Sequence, residues 1–310
     1  MSLGEGEFQG RVALVTGGAG FIGSHVCRRL AAAGAVVHAT SRRALDGERV
    51  DVEGVGAVHA IDLADGDATL ALLRAVRPDY VFHLASHVTG TRELAAVGPT
   101  FDGNLASTVN LLRGVAEVGA RRIVLAGSLE EPEGDEPPSS PYAASKAAAS
   151  LYARMFHQLY DTPVVTARIF MVYGPGQRDG RKLVPYVTRA LLAGEAPRVG
   201  SGERPVDWVH VDDVAQGLLR CATAPDLAGR TVDLGTGRLT TVRGVVERIS
   251  ALINTREPVF GAVEDRPHEQ VRAADARQLE QLLGRPALGL DAGLRNTVEW
   301  YRTAAALNDD

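Results

Sequence analysis

The chain has 310 residues, 45% of them hydrophobic but only 5% aromatic, and a formal net charge of −5; that length suits one large domain or two unequal lobes. Without net positive charge it lacks a general attraction to nucleic acid or to an anionic membrane, and no apolar run is long enough to cross a bilayer. Two cysteines, Cys27 and Cys221, are too few and too far apart for a disulfide framework or a metal-ligand cluster, which fits a cytoplasmic protein with no metal site.

Met1–Gln9 reads as a frayed leader. The apolar run Val12–Thr16 then predicts a buried parallel strand ending at Gly17-Gly18-Ala19-Gly20-Phe21-Ile22-Gly23. Ile22, Val26 and Leu30 follow at helical spacing, and Gly34 closes that helix. Strand, tight turn and helix N-terminus together make an anion site, so Gly17, Gly20 and Gly23 point to a dinucleotide pyrophosphate rather than to an ordinary glycine-rich loop. Further strands are predicted at Ala35–Ala39, Ala57–Ile61, Tyr80–Leu84, Ile123–Ala126 and Val164–Ile169. They alternate with helices at Asp67–Ala75, Leu105–Gly119 and Pro141–Tyr160, the pattern of an α/β, Rossmann-type doubly wound parallel sheet over residues 10–170. The acidic, proline-rich stretch Glu130–Ser140 reads as a mobile loop beside a strand end. Residues 171–303 are richer in glycine and proline, with helices predicted at Val184–Ala193, Asp212–Ala222, Val242–Leu252, Asp275–Leu283 and Ala292–Thr303; they read as a smaller C-terminal substrate lobe.

After the second strand stand Ser41, Arg42 and Arg43, where a carboxylate would meet an NAD ribose. A hydroxyl and two guanidiniums suit a 2′-phosphate, which favours NADP(H); NAD(H) stays possible if the arginines are merely solvated and Asp46 or Glu48 folds back. Asp62, with Leu63, is placed to reach the adenine amino group, or is a solvated loop acid. Tyr142 and Lys146 lie one helical turn apart, with Ser140 as cap and Pro141 in the first turn. An adjacent ammonium and an oxidised nicotinamide would favour the phenolate and make Tyr142 an acid–base group. The Ser128 hydroxyl can steady an oxygen while hydride moves.

These residues resemble the extended short-chain dehydrogenase/reductase family of nucleotide-sugar epimerases, dehydratases and reductases. The likeness rests on Thr16-Gly17-x-x-Gly20-x-x-Gly23, Ser128 and Tyr142-x-x-x-Lys146, and extends over His83-Leu84-Ala85, Asn104–Thr108, Arg168–Gly176, Asp207–Asp213 and Arg266-Pro267. The resemblance implies that Gly17, Gly20, Phe21, Ile22, Gly23, Leu84, Ala85 and Phe170 hold the cofactor with Tyr142 and Lys146, and that the catalytic trio is Ser128, Tyr142 and Lys146. Met171 and Val206 replace an asparagine and an arginine usual in sugar-diphosphate binding, so Lys182, Arg204 and Arg266 are read as substitute charges, with Arg181 a further one.

Gly127-Ser128-Leu129-Glu130-Glu131 resembles a segment of GDP-4-keto-6-deoxymannose reductases. Together with Ser41–Arg43 it gives the expectation of NADPH-dependent reduction of a 4-keto-6-deoxy sugar nucleotide. Glu130 also occupies the acid position of the hexose dehydratases, so an NAD-retaining epimerase or dehydratase is the alternative; Glu130 and Glu131 otherwise just begin the acidic loop. A non-catalytic NADP-sensing protein is the rival from another class, with no chemical use for the trio. His87 could touch substrate from its loop or be solvated, while His83 and His210 read as structural. The family often pairs its helices across a homodimer, and apolar Leu151, Met155, Phe156 and Leu159 allow that or packing within the chain.

Overall fold

A computed structural model describes residues 6–265 and 271–306. The strands in chain order are β1 (Val12–Thr16), β2 (Val36–Ser41), β3 (Ala57–Ala60), β4 (Tyr80–His83), β5 (Arg122–Ser128), β6 (Val164–Ile169), β7 (Met171–Tyr173), β8 (Pro205–His210), β9 (Thr231–Leu234) and β10 (Leu239–Thr241). The helices are α1 (Phe21–Ala32), α2 (Gly66–Val76), α3 (Val97–Thr100), α4 (Ser107–Val118), α5 (Pro141–Tyr160), α6 (Leu183–Leu192), α7 (Val211–Thr223), α8 (Val242–Ile253), α9 (Ala276–Leu283) and α10 (Leu290–Ala306). Among the described residues the chain divides into two compact units, one running to Ile169 and taking in Ala215–Asp233, the other comprising Phe170–Val214 and the chain from Leu234 on.

The first unit is an α/β Rossmann-type fold. Its sheet has seven strands in the order β3-β2-β1-β4-β5-β6-β9. The pairs β1–β2, β1–β4, β2–β3, β4–β5 and β5–β6 are parallel. The order reverses between β1 and β4, and the carboxyl ends of strands at such a switch point leave a crevice for ligands. β1 carries apolar residues to both faces because helices cover both, and Ala13, Leu14 and Val15 are wholly buried. Leu14, Val81 and Ile123 from the sheet pack with Leu73 of α2, Leu111, Leu112 and Val115 of α4, and Phe156 of α5. In α5 the buried positions Tyr142, Lys146, Ala149, Ala153 and Phe156 recur every three or four residues, so one face alone is covered. Ser140 caps that helix by accepting from Ala143 N at 3.1 Å, and Pro141 occupies its first turn.

The second unit has a three-stranded sheet, β10-β8-β7, and a core of Tyr173, Val187, Leu191, Trp208, Val246, Ile249 and Leu294. Asp207 is buried there and acts as a latch: Oδ1 accepts from Thr236 N (2.8 Å), and Oδ2 from Gly237 N (2.8 Å) and Ala274 N (3.0 Å).

Several local expectations change. Residues 1–5 lie outside the described residues, but Phe8 is no frayed end: it is buried with its ring 5.0 Å from that of Tyr80. β2 continues through Thr40 and Ser41, which pair with His59 and Ala60. β5 continues through Gly127 and Ser128, which pair with Arg168 and Ile169, so Ser128 sits in the strand rather than after it. The helix expected from Leu105 starts at Ser107, after a π-helical stretch at Phe101–Ala106. On α5, Leu151 and Leu159 are exposed whereas Phe156 is buried.

Candidate active site

The turn after β1 is built for close approach. Gly17 has φ +66°, and a Cβ there would lie 2.8 Å from Ala85 N; at Gly23 a Cβ would meet Gly17 O at 2.1 Å. A side chain at either position would push β1, α1 and the β4 exit apart. Gly20 is the N-cap of α1, and the first turn, where Phe21 and Ile22 lie, holds no acidic residue. Its unpaired backbone N–H groups and the positive end of the helix dipole therefore face an anion without local competition. This cradle fits the pyrophosphate of a dinucleotide.

The floor of the crevice is tied together by Thr16. Its Oγ1 accepts from the N–H groups of Leu84 and Ala85, both at 3.1 Å, and lies 2.8 Å from His83 Nδ1. Two accepted bonds leave the hydroxyl proton for Nδ1, so His83 carries its own proton on Nε2 and donates to Thr108 Oγ1 at 3.1 Å. Burial, with the Lys146 charge, depresses His83 to about 3, and the ring stays neutral.

At the end of β2, Ser41 is buried while Arg42 and Arg43 are exposed. Arg43 lies 3.6 Å from Glu48. The Ser41 hydroxyl is therefore part of the strand end rather than of an open loop, and the arginines are what the corner presents to solvent. Asp62 is exposed, and its Oδ1 accepts from Ala64 N at 3.0 Å, while Leu63 is buried.

Ser128, Tyr142 and Lys146 are all buried and come together. The Ser128 hydroxyl accepts from Glu130 N at 3.2 Å, and its proximity to the Tyr142 phenol favours the ionised form of that phenol. Lys146 Nζ lies 5.9 Å from the Tyr142 ring centroid and donates to Ala126 O at 2.8 Å. Burial pulls Lys146 down to about 8, against the opposing attraction of Glu131. Burial also holds the Tyr142 phenol above its ordinary value, and the Glu130 and Glu131 carboxylates add to this while Ser128 opposes it. In so dry a pocket the loss of hydration outweighs the neighbouring ammonium, and it is the charge of an oxidised nicotinamide, the other half of the expectation, that would favour the phenolate.

Two buried groups frame the trio, and neither role was apparent from the sequence. Asn104 accepts at Oδ1 from Ser86 Oγ (2.8 Å) and His87 N (2.7 Å), and donates from Nδ2 to Ser145 Oγ (2.9 Å), joining the β4 exit to α5. His87 is thus held by its backbone and is half-buried. Glu131 is 5% exposed; Oε1 accepts from Ser128 N (2.7 Å) and Oε2 from Ser150 Oγ (2.8 Å). The one clue in the sequence is that Tyr142, Lys146 and Ser150 share a helical face.

The remaining candidates belong to the second unit. Phe170 is buried and its ring stands under Gly235; Met171 opens β7; Lys182 is the N-cap residue of α6; Arg204 precedes β8. His210 is buried, and Nδ1 accepts from Asp212 N at 3.3 Å. Arg266 lies outside the described residues. Arg181 is exposed and paired with Asp179 at 2.9 Å. Among the described residues no group of three or more His, Cys, Asp or Glu could hold a metal ion, and no helix is long and apolar enough to cross a membrane.

A model of the NAD dependent epimerase/dehydratase family matches residues 13–235. A UDP-glucose 4-epimerase of Mycolicibacterium smegmatis is 32% identical over 93% of this chain and 98% of its own length. A dTDP-glucose 4,6-dehydratase of Xanthomonas campestris is 31% identical over 94% of this chain and 93% of its own. Among solved structures, the UDP-glucose 4-epimerase of Thermus thermophilus in complex with NAD is 29% identical with a TM-score of 0.84, covering 94% of this chain and 99% of that one.

Proposed function

The chain belongs to the NAD dependent epimerase/dehydratase family, and we propose that it is a nucleotide-sugar epimerase or 4,6-dehydratase that withdraws hydride from its substrate and returns it to the same molecule. The observation that carries this reading is the joint burial of Ser128, Tyr142 and Lys146, with Lys146 one helical turn after Tyr142 and over its ring, in a unit whose glycine turn fits a dinucleotide. The epimerase and dehydratase relatives favour it over net reduction.

Gly17, Gly20 and Gly23 with the first turn of α1 would hold the pyrophosphate, and Leu84, Ala85, Tyr142 and Lys146 the nicotinamide half. When bound, an oxidised nicotinamide supplies a hydride acceptor and a positive charge. Tyr142 takes the proton from a sugar hydroxyl and later gives it back, with Ser128 donating to the oxygen that bears the developing charge. Lys146 stabilises the phenolate while its attachment to Ala126 O fixes the ammonium in place. Because burial favours the neutral phenol, the positive charge of an oxidised nicotinamide would add to that of Lys146 in drawing off the proton. Glu130 stands beside the trio as the group able to remove a proton next to a carbonyl, which is the extra step of dehydration.

A second reading, NADPH-dependent 4-ketoreduction, is favoured by exposed Arg42 and Arg43 at the ribose corner and by a phenol already in its proton-donating form. Denaturing the purified protein and identifying any released dinucleotide separates the two, followed by incubation with UDP-glucose and dTDP-glucose. Retained NAD and a 4-epimer or a 4-keto-6-deoxy product are expected. Empty protein that oxidises NADPH with 4-keto sugar nucleotides, and leaves both hexoses untouched, would establish the reductase instead. Exposed Leu151, Tyr152, Leu159 and Tyr160 on α5 support a homodimer, which sedimentation would test.

A further inference from the structure

We propose that Glu131 is a positioning residue of this site: its carboxylate fixes the Ser128 turn against the Tyr142–Lys146 face of α5 and serves as the buried counter-charge of the Lys146 ammonium. The proposal rests on the reading of Ser128, Tyr142 and Lys146 as the reacting trio. Its geometry is that of a clamp. One oxygen accepts from Ser128 N at 2.7 Å, and the other from the Ser150 hydroxyl at 2.8 Å. Ser150 stands one helical turn after Lys146, as Lys146 stands one turn after Tyr142. A single carboxylate therefore ties the strand that carries Ser128 to the helix that carries its two partners. Gly127 keeps the path open, since a Cβ there would lie 2.7 Å from Glu131 Oε1.

An anion 95% withdrawn from water needs a reason to be there. Two accepted hydrogen bonds offset part of its desolvation, and the nearby ammonium offsets more. The ionisable groups facing Lys146 are Glu131 from the β5 turn, His83 from β4 and Tyr142 from its own helix. His83 is neutral and Tyr142 is a protonated phenol, so Glu131 is the negative charge among them, and its attraction opposes the lowering of Lys146 by burial.

The chain contains two lysines, Lys146 and Lys182, so Lys146 can be titrated directly by NMR with lysine labelled with carbon-13 at Cε, in the protein as purified and with no substrate added, each variant carrying the same dinucleotide content as the wild type. Lys182→Arg assigns the signals. In the wild type, burial is expected to place the Lys146 midpoint at about 8. In Glu131→Gln the amide retains an acceptor for Ser128 N and can donate to Ser150, but the charge is gone, and the Lys146 midpoint falls by roughly one pH unit while Lys182 stays put. Glu131→Asp keeps the charge on a shorter arm and restores most of the wild-type midpoint; if E131Q does not fold, Glu131→Met, uncharged and of similar length, carries the same expected fall. An unchanged midpoint in E131Q or E131M, or one in E131D lowered by a full unit, overturns the proposal. Because the titration needs no turnover, it stands or falls separately from the activity screen.

Discussion

The hydroxyl of Thr16 stands 2.8 Å from His83 Nδ1, on the two strands between which the sheet reverses its order. The same oxygen accepts the N–H groups of Leu84 and Ala85, the residues against which Gly17 closes. One hydroxyl thus sets both the tautomer of a buried histidine and the shape of the crevice floor. Thr16→Val, nearly the same in volume, leaves the Ala85 N–H and His83 Nδ1 unpaired and is expected to cost about 2 kcal/mol. Urea denaturation would measure it; a loss below roughly 0.5 kcal/mol would show that water or a shifted loop replaces the hydroxyl.

His83 also predicts how the protein responds to acid. Its folded value of about 3 lies below the ordinary 6.5 of an unfolded chain. Below 6.5 the unfolded state takes up a proton that the fold refuses, so stability falls with pH from 6.5 down to about 3. Within that window this residue contributes a slope of about 1.4 kcal/mol per pH unit. A His83→Gln variant should therefore show a shallower acid slope than the wild type, by close to that amount at pH 5 to 6. Parallel stability curves would mean that His83 titrates normally in the fold.

Tyr142→Phe removes the phenol oxygen and keeps the ring. Turnover should fall by about 10²–10⁴-fold through loss of the proton-transfer group, with the far-ultraviolet spectrum and dinucleotide affinity retained. Ser128→Ala should cost less, about 10–10³-fold, because it removes one donor to the developing charge while the proton path remains. Turnover of Y142F within threefold of wild type would remove Tyr142 from the chemistry.

Substitution in the glycine turn should separate binding from folding. Gly23→Ala places a methyl where Gly17 O lies 2.1 Å away, so the turn must open. Dinucleotide affinity is expected to drop by more than about tenfold, as the helix N-terminus moves away from the site it forms. Gly119→Ala is a useful control for a glycine substitution that strains the backbone outside the turn without a clash: that glycine has φ +75° and no atom within 4 Å of a Cβ. Calorimetric titration that finds both variants binding alike would detach the turn from the cofactor.

How much of this was legible in the sequence follows the range of the interactions. β1, the glycine turn and α1 are contiguous, and their apolar spacing shows directly which side is covered. Tyr142 and Lys146 share a face by helical geometry alone. Ser128 was legible as a residue at a strand end, although its place inside β5 depends on pairing with Ile169, far along the chain. Glu131 reads locally as the start of an acidic loop, and only contact with Ser150 gives it a buried partner. Asn104 lies in a π-helical stretch whose irregular turn no periodicity announces, and its partners come from the β4 exit and from α5. β9 is four residues long, and only the return of the chain into the first unit makes it part of the seven-stranded sheet.

The ribose corner gives the last prediction. Arg43 already has a partner in Glu48 at 3.6 Å, with both side chains more than half exposed, so the pair is weak and salt-sensitive. Ser41 is buried at the strand end and carries no charge to meet a phosphate dianion. If a 2′-phosphate is recognised here, Arg42 and Arg43 must carry it, and removing both should lower NADPH affinity by about tenfold or more while leaving NADH within a factor of two. Replacing Glu48 by Gln in the same background test frees Arg43 and should raise NADPH affinity, the opposite sign. For an enzyme that retains NAD, the double variant Arg42→Ala/Arg43→Ala should alter neither affinity appreciably, because a ribose hydroxyl offers no charge for the arginines to meet. Titrating both cofactors into wild type, the double variant and E48Q thus decides which dinucleotide the corner was shaped for, independently of which sugar is turned over.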